Sequence, residues 1–469
     1  MRNKKYNKKV YVGLSADILH EGHINILKIA KKYGDVIVGL LTDEAIASYK
    51  NIPYLNYEKR KIVLENIKYV KKVIPQKTLD YVENLKLVKP DYVVHGDDWK
   101  NGIQKKTRDK AIKILKKWSG KLIEPRYTKN ISSTMIKKQM TNIISSPDNR
   151  VSRLKRLLHS KDIVRILESH NSLTGLIIDK INIIKDKKII EFDGMWSSSL
   201  TDSATKGLPD NSSLSFSARV SSLQDMLDVT SKPIVFDADN GGQIEHLPFL
   251  VRSLERSGVS AIIMEDKIGL KKNSLFKNQS GAKQDKPNDF AKKIKKICST
   301  RQSKDFLAIA RIESFILGKG IQDALKRAVI YSKAGADAIL IHSKEKTPKE
   351  IFSFAKEFKK SKYFIPLVSV PSTYSKVYEK DLINNGFKLV IYANQLLRAA
   401  YPAMQETAKT ILKNSRKAMD LFKKINTFYR KDNGKKFIEW LDELKVYNIT
   451  DNKIPGLLNT SKIWVETSK

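Results

Sequence analysis

The chain has 469 residues, of which 41% are hydrophobic, and its formal net charge is +38. This length and composition indicate a folded protein of two or three domains and exclude an intrinsically disordered chain. No apolar run reaches the ~18 residues of a membrane span, and the basic N-terminus lacks the apolar core of a signal peptide. Cys298 is the single cysteine, which excludes an intrachain disulfide. We therefore expect a cytoplasmic protein without membrane contact.

The positive charge comes from lysines that are scattered in KK pairs rather than gathered in one arm. An AT-rich genome would produce the same abundance of Lys, Asn and Ile on any surface. We therefore expect no specific nucleic-acid partner, and expect instead that the positive field attracts small phosphorylated anions. A nucleic-acid-binding protein remains a third interpretation, which predicts an affinity that falls steeply with salt.

Residues 8–140 alternate short apolar runs with helical patterns. Strands are predicted at KVYVGLSAD, DVIVGLLTD, DYVVHGDD and KLIEPRY, and helices at INILKIAKKYG, YEKRKIVLENIKYV and KAIKILKKWSG. This alternation predicts a doubly wound parallel α/β sheet, Rossmann-like in its order of elements. Such sheets bind ligands at the carboxyl ends of their strands. The polar stretch SSPDNR lies within residues 141–152, which are predicted to be a linker.

Residues 153–412 predict a second α/β unit. Eight apolar runs that end in polar or charged residues are expected to be strands: a run near ILESHN, then FDGMW, PIVFDAD, AIIMED, FLAIARIE, AILIHS, PLVSVP and KLVIYAN. Eight βα units over this length predict a (β/α)8 TIM-type barrel, whose active site lies at the carboxyl ends of its strands. Residues 413–469 are predicted to be a charged helical extension.

Acidic and basic residues stand at most of these strand ends. Asp237 and Asp239 alternate onto one face of a strand end, and Glu265 ends the next strand. Three neighbouring carboxylates repel one another without a cation, and their oxygens suit Mg²⁺. Arg311 and His342 end the following strands, where we expect them to hold an anion. A lone histidine there is more often structural, but this one belongs to a constellation.

These residues resemble the phosphoenolpyruvate mutase family, within the isocitrate lyase and phosphoenolpyruvate mutase superfamily. The resemblance covers about residues 153–412 and rests on MWSSSLTDS, FDADNGG, EDKIGLKKNS, ARIESFI, GADAILIHSK and YANQLLRAA. It implies that Asp237 binds Mg²⁺ directly, while Asp239 and Glu265 act through water. The EDKxxxKxNS segment is similar to a gate that closes over the substrate.

The same resemblance assigns roles to further residues of the barrel. It implies catalytic roles for Asp210, Lys271, Asn273, Arg311 and His342. It implies substrate-binding roles for Trp196, Ser198, Ser199, Leu200 and Ser274. The family often has glycine at the position of Ser199, where a backbone amide can still donate.

The implied reaction converts phosphoenolpyruvate to phosphonopyruvate: a phosphoryl group leaves an enol oxygen and is recaptured by carbon. Mg²⁺ can stabilise the enolate as a Lewis acid, and the site must exclude water while the phosphoryl group is in transit. A phosphonopyruvate hydrolase shares most of these residues and remains an alternative. The lyases of the superfamily carry a catalytic cysteine in the gate, whereas Cys298 lies in a helical pattern, so a lyase is not expected.

The tetrapeptide HEGH, residues 20–23, stands between a predicted strand and a predicted helix. Helix N-termini favour phosphate, and two imidazoles can add donors to it, although His20 and His23 can also simply cap and pack the helix. With YTKNISST, the motif resembles the cytidylyltransferase family over about residues 8–140. The resemblance implies that CTP is a co-substrate, that His20 and His23 are catalytic, and that nucleotide is bound by Lys50, Arg60, Asp97, Ser132, Ser133 and Thr134.

The combined expectation is a bifunctional enzyme of phosphonate biosynthesis. Its barrel forms the C–P bond, and its N-terminal domain activates a phosphonate such as 2-aminoethylphosphonate as the CMP derivative. The alternative is a hydrolase-type barrel regulated by a nucleotide-binding sensor domain. Because members of the barrel family form dimers and tetramers, the resemblance also implies a homo-oligomer assembled through the barrel.

Overall fold

The computed structural model describes residues 8–49, 52–100, 104–126, 146–185, 188–269, 271–274, 279–374 and 376–414. The chain divides into two compact units, Met1–Ala393 and Asn394–Lys469. In the second unit the described residues include one helix, Gln395–Asn414. None of the helices in the described ranges has the length and apolar character that crossing a membrane requires.

The first unit begins with a five-stranded parallel sheet in the order β3-β2-β1-β4-β5. Its strands are β1 Lys9–Leu14, β2 Asp35–Leu41, β3 Val70–Gln76, β4 Tyr92–Val94 and β5 Lys121–Ile123. Its helices are α1 Glu21–Lys31, α2 Asp43–Ala47, α3 Tyr57–Glu65, α4 Val82–Val88 and α5 Lys105–Leu115. The predicted parallel sheet is confirmed, whereas the sequence did not predict β3, α2 or α4.

Strand β1 is buried on both faces, as the central strand of a parallel sheet must be. Val10 and Val12 pack in one cluster with Leu27 of α1. Tyr11 points to the opposite face, where it packs in a second cluster with Leu85 of α4. The chain leaves β1 toward β2 and later returns to β4 on the other side. The carboxyl ends of β1 and β4 therefore flank a topological switch point, where such sheets bind ligands.

The rest of this unit is a closed eight-stranded parallel barrel, as predicted. The barrel strands are β6 Val164–Glu168, β9 Gly194–Ser197, β10 Ile234–Asp237, β11 Ala261–Glu265, β14 Leu307–Ile312, β15 Ala338–Ile341, β16 Leu367–Ser369 and β17 Phe387–Tyr392. Each corresponds to one of the eight predicted apolar runs. Two small antiparallel pairs decorate it, β7 Asn182–Lys185 with β8 Lys188–Glu191, and β12 Lys267–Ile268 with β13 Lys283–Gln284.

Helices follow most of the barrel strands. They are α6 Pro147–Ser160, α7 Ser172–Lys180, α8 Ser199–Ala204, α9 Phe216–Val229, α10 Leu247–Ser257, α11 Pro287–Thr300, α12 Gly320–Lys333, α13 Lys349–Phe358 and α14 Glu379–Asn384. Cys298 lies within α11, and its Sγ contacts the Gly335 carbonyl at 3.1 Å. This position agrees with the helical pattern predicted for it.

Part of the predicted linker, residues 141–152, is helical instead. Helix α6 starts at Pro147, a residue that suits the first turn because the missing N–H would have no partner there. Leu154 and Leu157 of α6 pack in the same buried cluster as Ile52. Residues 141–145 lie outside the described ranges, and the domain boundaries proposed from the sequence remain a prediction.

Candidate active sites

Asp237 ends β10 at the mouth of the barrel. It accepts a hydrogen bond from Ser199 Oγ at 2.9 Å and a longer one from Ser199 N at 3.4 Å. Burial would raise the pKa of Asp237, but the charges of Lys271, Arg219 and Arg311 outweigh burial and lower the pKa. The carboxylate is therefore held in its ionised form. Ser199 donates through its amide, as the sequence suggested, and through its hydroxyl as well.

The Lys271 ammonium lies among the acids of the barrel mouth. Its Nζ is 2.5 Å from Asp210 Oδ1 and 2.5 Å from Asp239 Oδ1, and it also contacts Ser199 Oγ. Burial would lower the pKa of Lys271, but four carboxylates raise it well above the usual range, those of Asp237, Asp239, Asp210 and Glu265. The lysine is thus the cationic centre of the acid cluster.

The predicted Mg²⁺ ligands can be tested against this geometry. Among the described residues, no three His, Cys, Asp or Glu side chains are grouped closely enough to hold a metal ion. The oxygen donors of Asp237, Asp239 and Glu265 nevertheless suit Mg²⁺. Asp239 Oδ1 is buried and, although near Lys271, accepts no well-directed hydrogen bond from any described residue. The donors are therefore of the chemical type that suits the ion, and in this structure the ammonium of Lys271 supplies the positive charge beside them.

Glu265 ends β11 and is buried beside two cations. Its Oε2 lies 3.3 Å from Arg311 Nη2, and its Oε1 lies 3.7 Å from Lys267 Nζ. Burial nevertheless raises the pKa of Glu265 to about 7. Lys267 was not predicted to act here, yet its Nζ donates to Ser274 Oγ at 2.8 Å and to the Lys272 carbonyl at 2.8 Å. Lys267 therefore ties the 271–274 segment to the acid cluster.

Two of the predicted catalytic groups meet at Asp210. Asn273 Nδ2 donates to Asp210 Oδ2 at 3.2 Å, while Lys271 binds the other carboxylate oxygen. Asp210 lies in the loop between α8 and α9, far from the 271–274 segment in sequence. The fold brings together three side chains that the sequence analysis placed at one site, and presents an ammonium and an amide side by side.

Arg311 and His342 are joined through Glu313, to which the sequence analysis assigned no role. Arg311 Nε donates to Glu313 Oε1 at 2.6 Å, and His342 Nε2 lies 2.7 Å from the same oxygen. Ser274 Oγ donates to the other oxygen, Oε2, at 2.6 Å. Burial would raise the pKa of Glu313, but Arg311 and His342 lower it well below its usual range. Burial lowers the pKa of His342, which favours the neutral ring.

Arg219 of α9 is a third residue to which the sequence analysis assigned no role, and it supports the base of the site. Its Nε donates to Asp202 Oδ2 at 2.9 Å, and its Nη1 donates to the Asp237 carbonyl. Its Nη2 donates to the Ser197 carbonyl at 3.2 Å. The guanidinium therefore joins α8, β9 and β10. An arginine within a helix belongs to no recognisable motif. The only sequence signal for its burial was its position four residues before Leu223, on the buried face of the helix.

The predicted substrate-binding residues lie at the start of α8 and the end of β9. Trp196 is buried, and its Nε1 has no hydrogen-bond partner among the described residues. Ser198 is buried directly before α8, and Leu200 is half-buried in its first turn. These residues follow β9 at the same barrel end as Asp237, which ends the paired strand β10.

The N-terminal sheet has a cavity of about 590 Å³ at its switch point. Residues after β1 and β4 line it, including Ser15, His20, His23, His95 and Asp98. Gly13 is required there, since a Cβ would lie 2.3 Å from the Tyr81 ring, which also borders the cavity. The cavity lies where the sequence analysis expected a ligand.

The two histidines of HEGH cap α1 reciprocally. His20 Nδ1 accepts from Gly22 N at 3.2 Å, and His23 Nδ1 accepts from His20 N at 3.4 Å. A ring nitrogen that accepts a hydrogen bond carries no proton. In both histidines the single proton of the neutral ring therefore lies on Nε2, which can act as a donor. Burial lowers the pKa of His20, which favours that neutral form. The histidines therefore cap the helix and border the cavity, and the two interpretations are compatible.

The other predicted nucleotide-binding residues are placed differently. Lys50, Ser132, Ser133 and Thr134 lie outside the described residues. Arg60 is fully buried, with Nε on the Leu55 carbonyl at 3.0 Å and Nη1 on the Ser15 carbonyl at 2.5 Å. Its donors are engaged inside the protein, so Arg60 contributes to the cavity by holding Ser15, which lines it.

Asp97 does not line the cavity, whereas its neighbour Asp98 does. Asp97 starts a 3-10 turn, and its backbone N donates to the Pro125 carbonyl at 3.1 Å. His95 also lines the cavity, and its ring stacks on Trp99 at 4.0 Å. Burial lowers the pKa of His95. The segment HGDDW therefore borders the cavity through His95 and Asp98, and the nucleotide-binding role of Asp97 stays a prediction.

Comparison with known proteins agrees with both halves of this description. The family model for phosphoenolpyruvate phosphomutase matches residues 154–412. The chain belongs to the phosphoenolpyruvate phosphomutase family. It is 39% identical over 268 residues to the phosphoenolpyruvate phosphomutase of Tetrahymena pyriformis, covering 57% of this chain and 85% of that protein. A solved phosphonopyruvate hydrolase, in complex with oxalate and Mg²⁺, aligns with a TM-score of 0.53 and 30% identity, over 63% of this chain and 95% of that one.

This phosphomutase-family chain also carries a cytidylyltransferase-like segment. A cytidylyltransferase-like family model matches residues 11–139. The segment is similar to the glycerol-3-phosphate cytidylyltransferase of Bacillus spizizenii, strain ATCC 23059 / NRRL B-14472 / W23, at 36% identity over 138 residues, which are 29% of this chain and 99% of that protein. The layout is therefore that of two enzyme families in one chain.

Proposed function

We propose that the barrel interconverts phosphoenolpyruvate and phosphonopyruvate. The observation that carries the proposal is the part-buried contact of Lys271 with Asp210, at 2.5 Å, and of Asn273 with the same carboxylate, at 3.2 Å. A phosphoryl group in transit needs fixed donors and positive charge around it, and no water that can capture it. An ammonium and an amide held by one carboxylate supply the donors and the charge.

In the proposed reaction the bond from phosphorus to the enol oxygen breaks, and a bond from phosphorus to the methylene carbon forms. All substrate atoms are retained, so the reaction is an isomerisation. Lys271 and Asn273 orient the phosphoryl group, and Asp210 holds both donors in place. Arg311 of β14 and His342, which follows β15, bind its oxygens. Trp196, Ser198, Ser199, Leu200 and Ser274 form the walls that bind the rest of the substrate.

The proposed metal site is that of Asp237, Asp239 and Glu265. When bound there, Mg²⁺ supplies Lewis-acid stabilisation of the enolate. The residues themselves hold the oxygen donors in a buried setting, and Ser199 keeps the Asp237 carboxylate in place. The solved hydrolase with oxalate and Mg²⁺ supports the choice of ion.

The test is to incubate the purified chain with Mg²⁺ and phosphonopyruvate and to follow phosphorus by ³¹P NMR. Phosphoenolpyruvate is the expected product, and Lys271→Met should abolish its formation. Appearance of inorganic phosphate and pyruvate alone would refute the mutase. That result would favour the hydrolase, which is the second candidate because a hydrolase is among the similar solved structures.

We propose that the N-terminal domain transfers CMP from CTP to a phosphonate such as 2-aminoethylphosphonate. A phosphonate oxygen attacks the α-phosphorus of CTP, the bond to the bridging oxygen of the β-phosphate breaks, and pyrophosphate leaves. The neutral Nε2–H groups of His20 and His23 donate to the transferred and leaving phosphates, which is catalysis by positioning and electrostatics. The cavity that both rings border supports this assignment.

The remaining roles in this domain come from the resemblance and stay predictions. Lys50 is expected to contact the acceptor or the α-phosphate, and Ser132, Ser133 and Thr134 the triphosphate. We further propose a cytoplasmic homo-oligomer, a dimer or tetramer assembled through the barrel, which sedimentation of the purified chain would test.

Pyrophosphate release tests the transfer and its acceptor. The panel is CTP or ATP combined with 2-aminoethylphosphonate, phosphonopyruvate or glycerol 3-phosphate. The last acceptor is included because the similar Bacillus protein is a glycerol-3-phosphate cytidylyltransferase. Release with the aminophosphonate and CTP is the expected result. If no acceptor releases pyrophosphate but CTP changes the barrel's turnover, the domain is a regulatory sensor instead.

A further inference from the structure

Helix α6 of the barrel is bonded to the N-terminal sheet domain through Arg156. Its Nη1 donates to the Tyr54 carbonyl at 2.9 Å, and its Nη2 donates to the Pro53 carbonyl at 2.6 Å and to Asp43 Oδ2 at 3.1 Å. All three acceptors precede α3, in the N-terminal half of the chain. The guanidinium is mostly buried, with 19% of its side chain exposed, so these bonds are shielded from water.

Asp43 divides its two oxygens between two arginines. Oδ2 accepts from Arg156 of the barrel, and Oδ1 accepts at 2.7 Å from Nη2 of Arg60, which is fully buried. Arg60 in turn donates to the Ser15 carbonyl at 2.5 Å. Charge-assisted bonds of this kind are stronger than neutral ones. Two ion pairs therefore connect the barrel helix to Ser15.

Ser15 begins the loop that leads from β1 to the two histidines. A second bond reaches the same loop, since Asp17 Oδ1 accepts from Tyr54 N at 2.6 Å. Ser15 and His20 both line the 590 Å³ cavity. The 52–55 segment is thus bonded to the barrel through its carbonyls and to the cavity loop through an amide.

We propose that Arg156 is a positioning residue for the N-terminal site. The barrel holds the 52–55 segment and Asp43 in place through Arg156, and thereby fixes the position of the 15–20 loop that carries His20. Loss of the guanidinium would leave Asp43 and two buried carbonyls short of partners, which costs more than the bonds were worth in net stability. The proposal rests on the proposed cytidylyl transfer for the identity of the ligand. The hydrogen bonds that connect Arg156 to the 15–20 loop do not depend on that identity.

The test uses the full chain with three variants. Arg156→Met removes all three bonds, and Arg156→Lys keeps the charge but lacks the fork that reaches several acceptors. Lys155→Met is the matched control, because the neighbouring lysine pairs with Asp305 at 3.1 Å within the barrel. Barrel turnover of phosphonopyruvate should be unchanged in all three. If Arg156→Met fails to fold, Arg156→Lys decides.

Hydrogen exchange measured without ligand is the first readout. In Arg156→Met the amides of residues 15–23 and of Tyr54 should exchange about tenfold faster, as expected when a charged hydrogen bond is lost, while Lys155→Met matches the wild type. Faster exchange confined to the amides of Tyr54 and Leu55, or equal effects in Lys155→Met, would overturn the proposal.

Transfer kinetics are the second readout. In Arg156→Met, KM for CTP should rise by about tenfold or kcat for pyrophosphate release should fall to a similar extent, although the residue lines no part of the cavity. Wild-type transfer in Arg156→Met would contradict the proposal. If the wild type itself releases no pyrophosphate with any acceptor, the proposed transfer fails, and hydrogen exchange still decides the role of Arg156.

Discussion

Replacing Lys271 by methionine tests whether its ammonium is the counter-ion of the acid cluster. Nζ lies 2.5 Å from Asp210 and 2.5 Å from Asp239, and at an effective dielectric of ~20 each pair contributes about 6 to 7 kcal/mol of Coulomb attraction. Desolvation offsets much of this, and removing one partner of a buried pair costs about 3–5 kcal/mol. Because methionine keeps the apolar stem, the free energy of unfolding should fall by about 3 kcal/mol or more.

Thermal unfolding in EDTA and in excess Mg²⁺ is the assay. In EDTA, Lys271→Met should melt on the order of 10 °C below the wild type. Mg²⁺ should raise the melting temperature of the variant more than that of the wild type, because no ammonium competes for the acids. Lys272→Met is the control, since that ammonium bonds the Ser280 carbonyl at 3.1 Å instead. Equal melting in EDTA, or equal stabilisation by Mg²⁺, would refute the reasoning.

Three further predictions concern single groups. Asp210→Asn should lower phosphonopyruvate turnover by about a hundredfold or more, because Lys271 and Asn273 lose the carboxylate that positions both of them. Turnover at the wild-type rate, followed by ³¹P NMR, would contradict this. His20→Asn should preserve the melting temperature, since Asn caps helices well, yet lower pyrophosphate release by about 10²–10³-fold; unchanged release would leave His20 a purely structural cap. The hydrogen bond from Arg108 lowers the pKa of Glu124 to about 2 from 4.5, so its stabilisation is present above about pH 4.5 and is lost as the pH falls toward 2. Urea unfolding between pH 7 and pH 3 should therefore show a smaller loss of stability in Glu124→Gln than in the wild type.

The sequence predicted the barrel well because its strands are buried on both faces and read as uninterrupted apolar runs. Strand β3 escaped because it is an edge strand with two exposed lysines, Lys71 and Lys72, followed by Pro75. Its sequence, VKKVIPQ, lacks both alternation and a continuous apolar run, and the helix predicted before it ends at Val70, the first residue of the strand. The sequence did not predict that α6 starts at Pro147, because a proline in the first turn of a helix has the same local composition as one in a loop.

The candidate sites were predictable where a residue follows a strand, and less so where its role depends on a distant partner. Asp237 and Glu265 stand at strand ends, so topology alone indicates their neighbourhood. Glu313 and Arg219 act by joining groups from several strands, and nothing in their local sequence specifies those partners. His95 is similar, since its place depends on stacking against Trp99, which a folded 3-10 turn provides.

The arginine pair around Asp43 also bears on how the chain is made. Asp43, Ile52 and Arg60 are synthesised well before Arg156. The nascent N-terminal domain therefore emerges before Asp43 Oδ2 can accept its hydrogen bond from Arg156. Ile52, which is 4% exposed in the finished protein, must meet water until Leu154 and Leu157 arrive to cover it. The N-terminal domain is synthesised first, but its contacts are completed only when α6 has been made. A ribosome stalled before α6 emerges would hold an N-terminal domain in which Asp43 and the 52–55 segment are not yet bonded to Arg156.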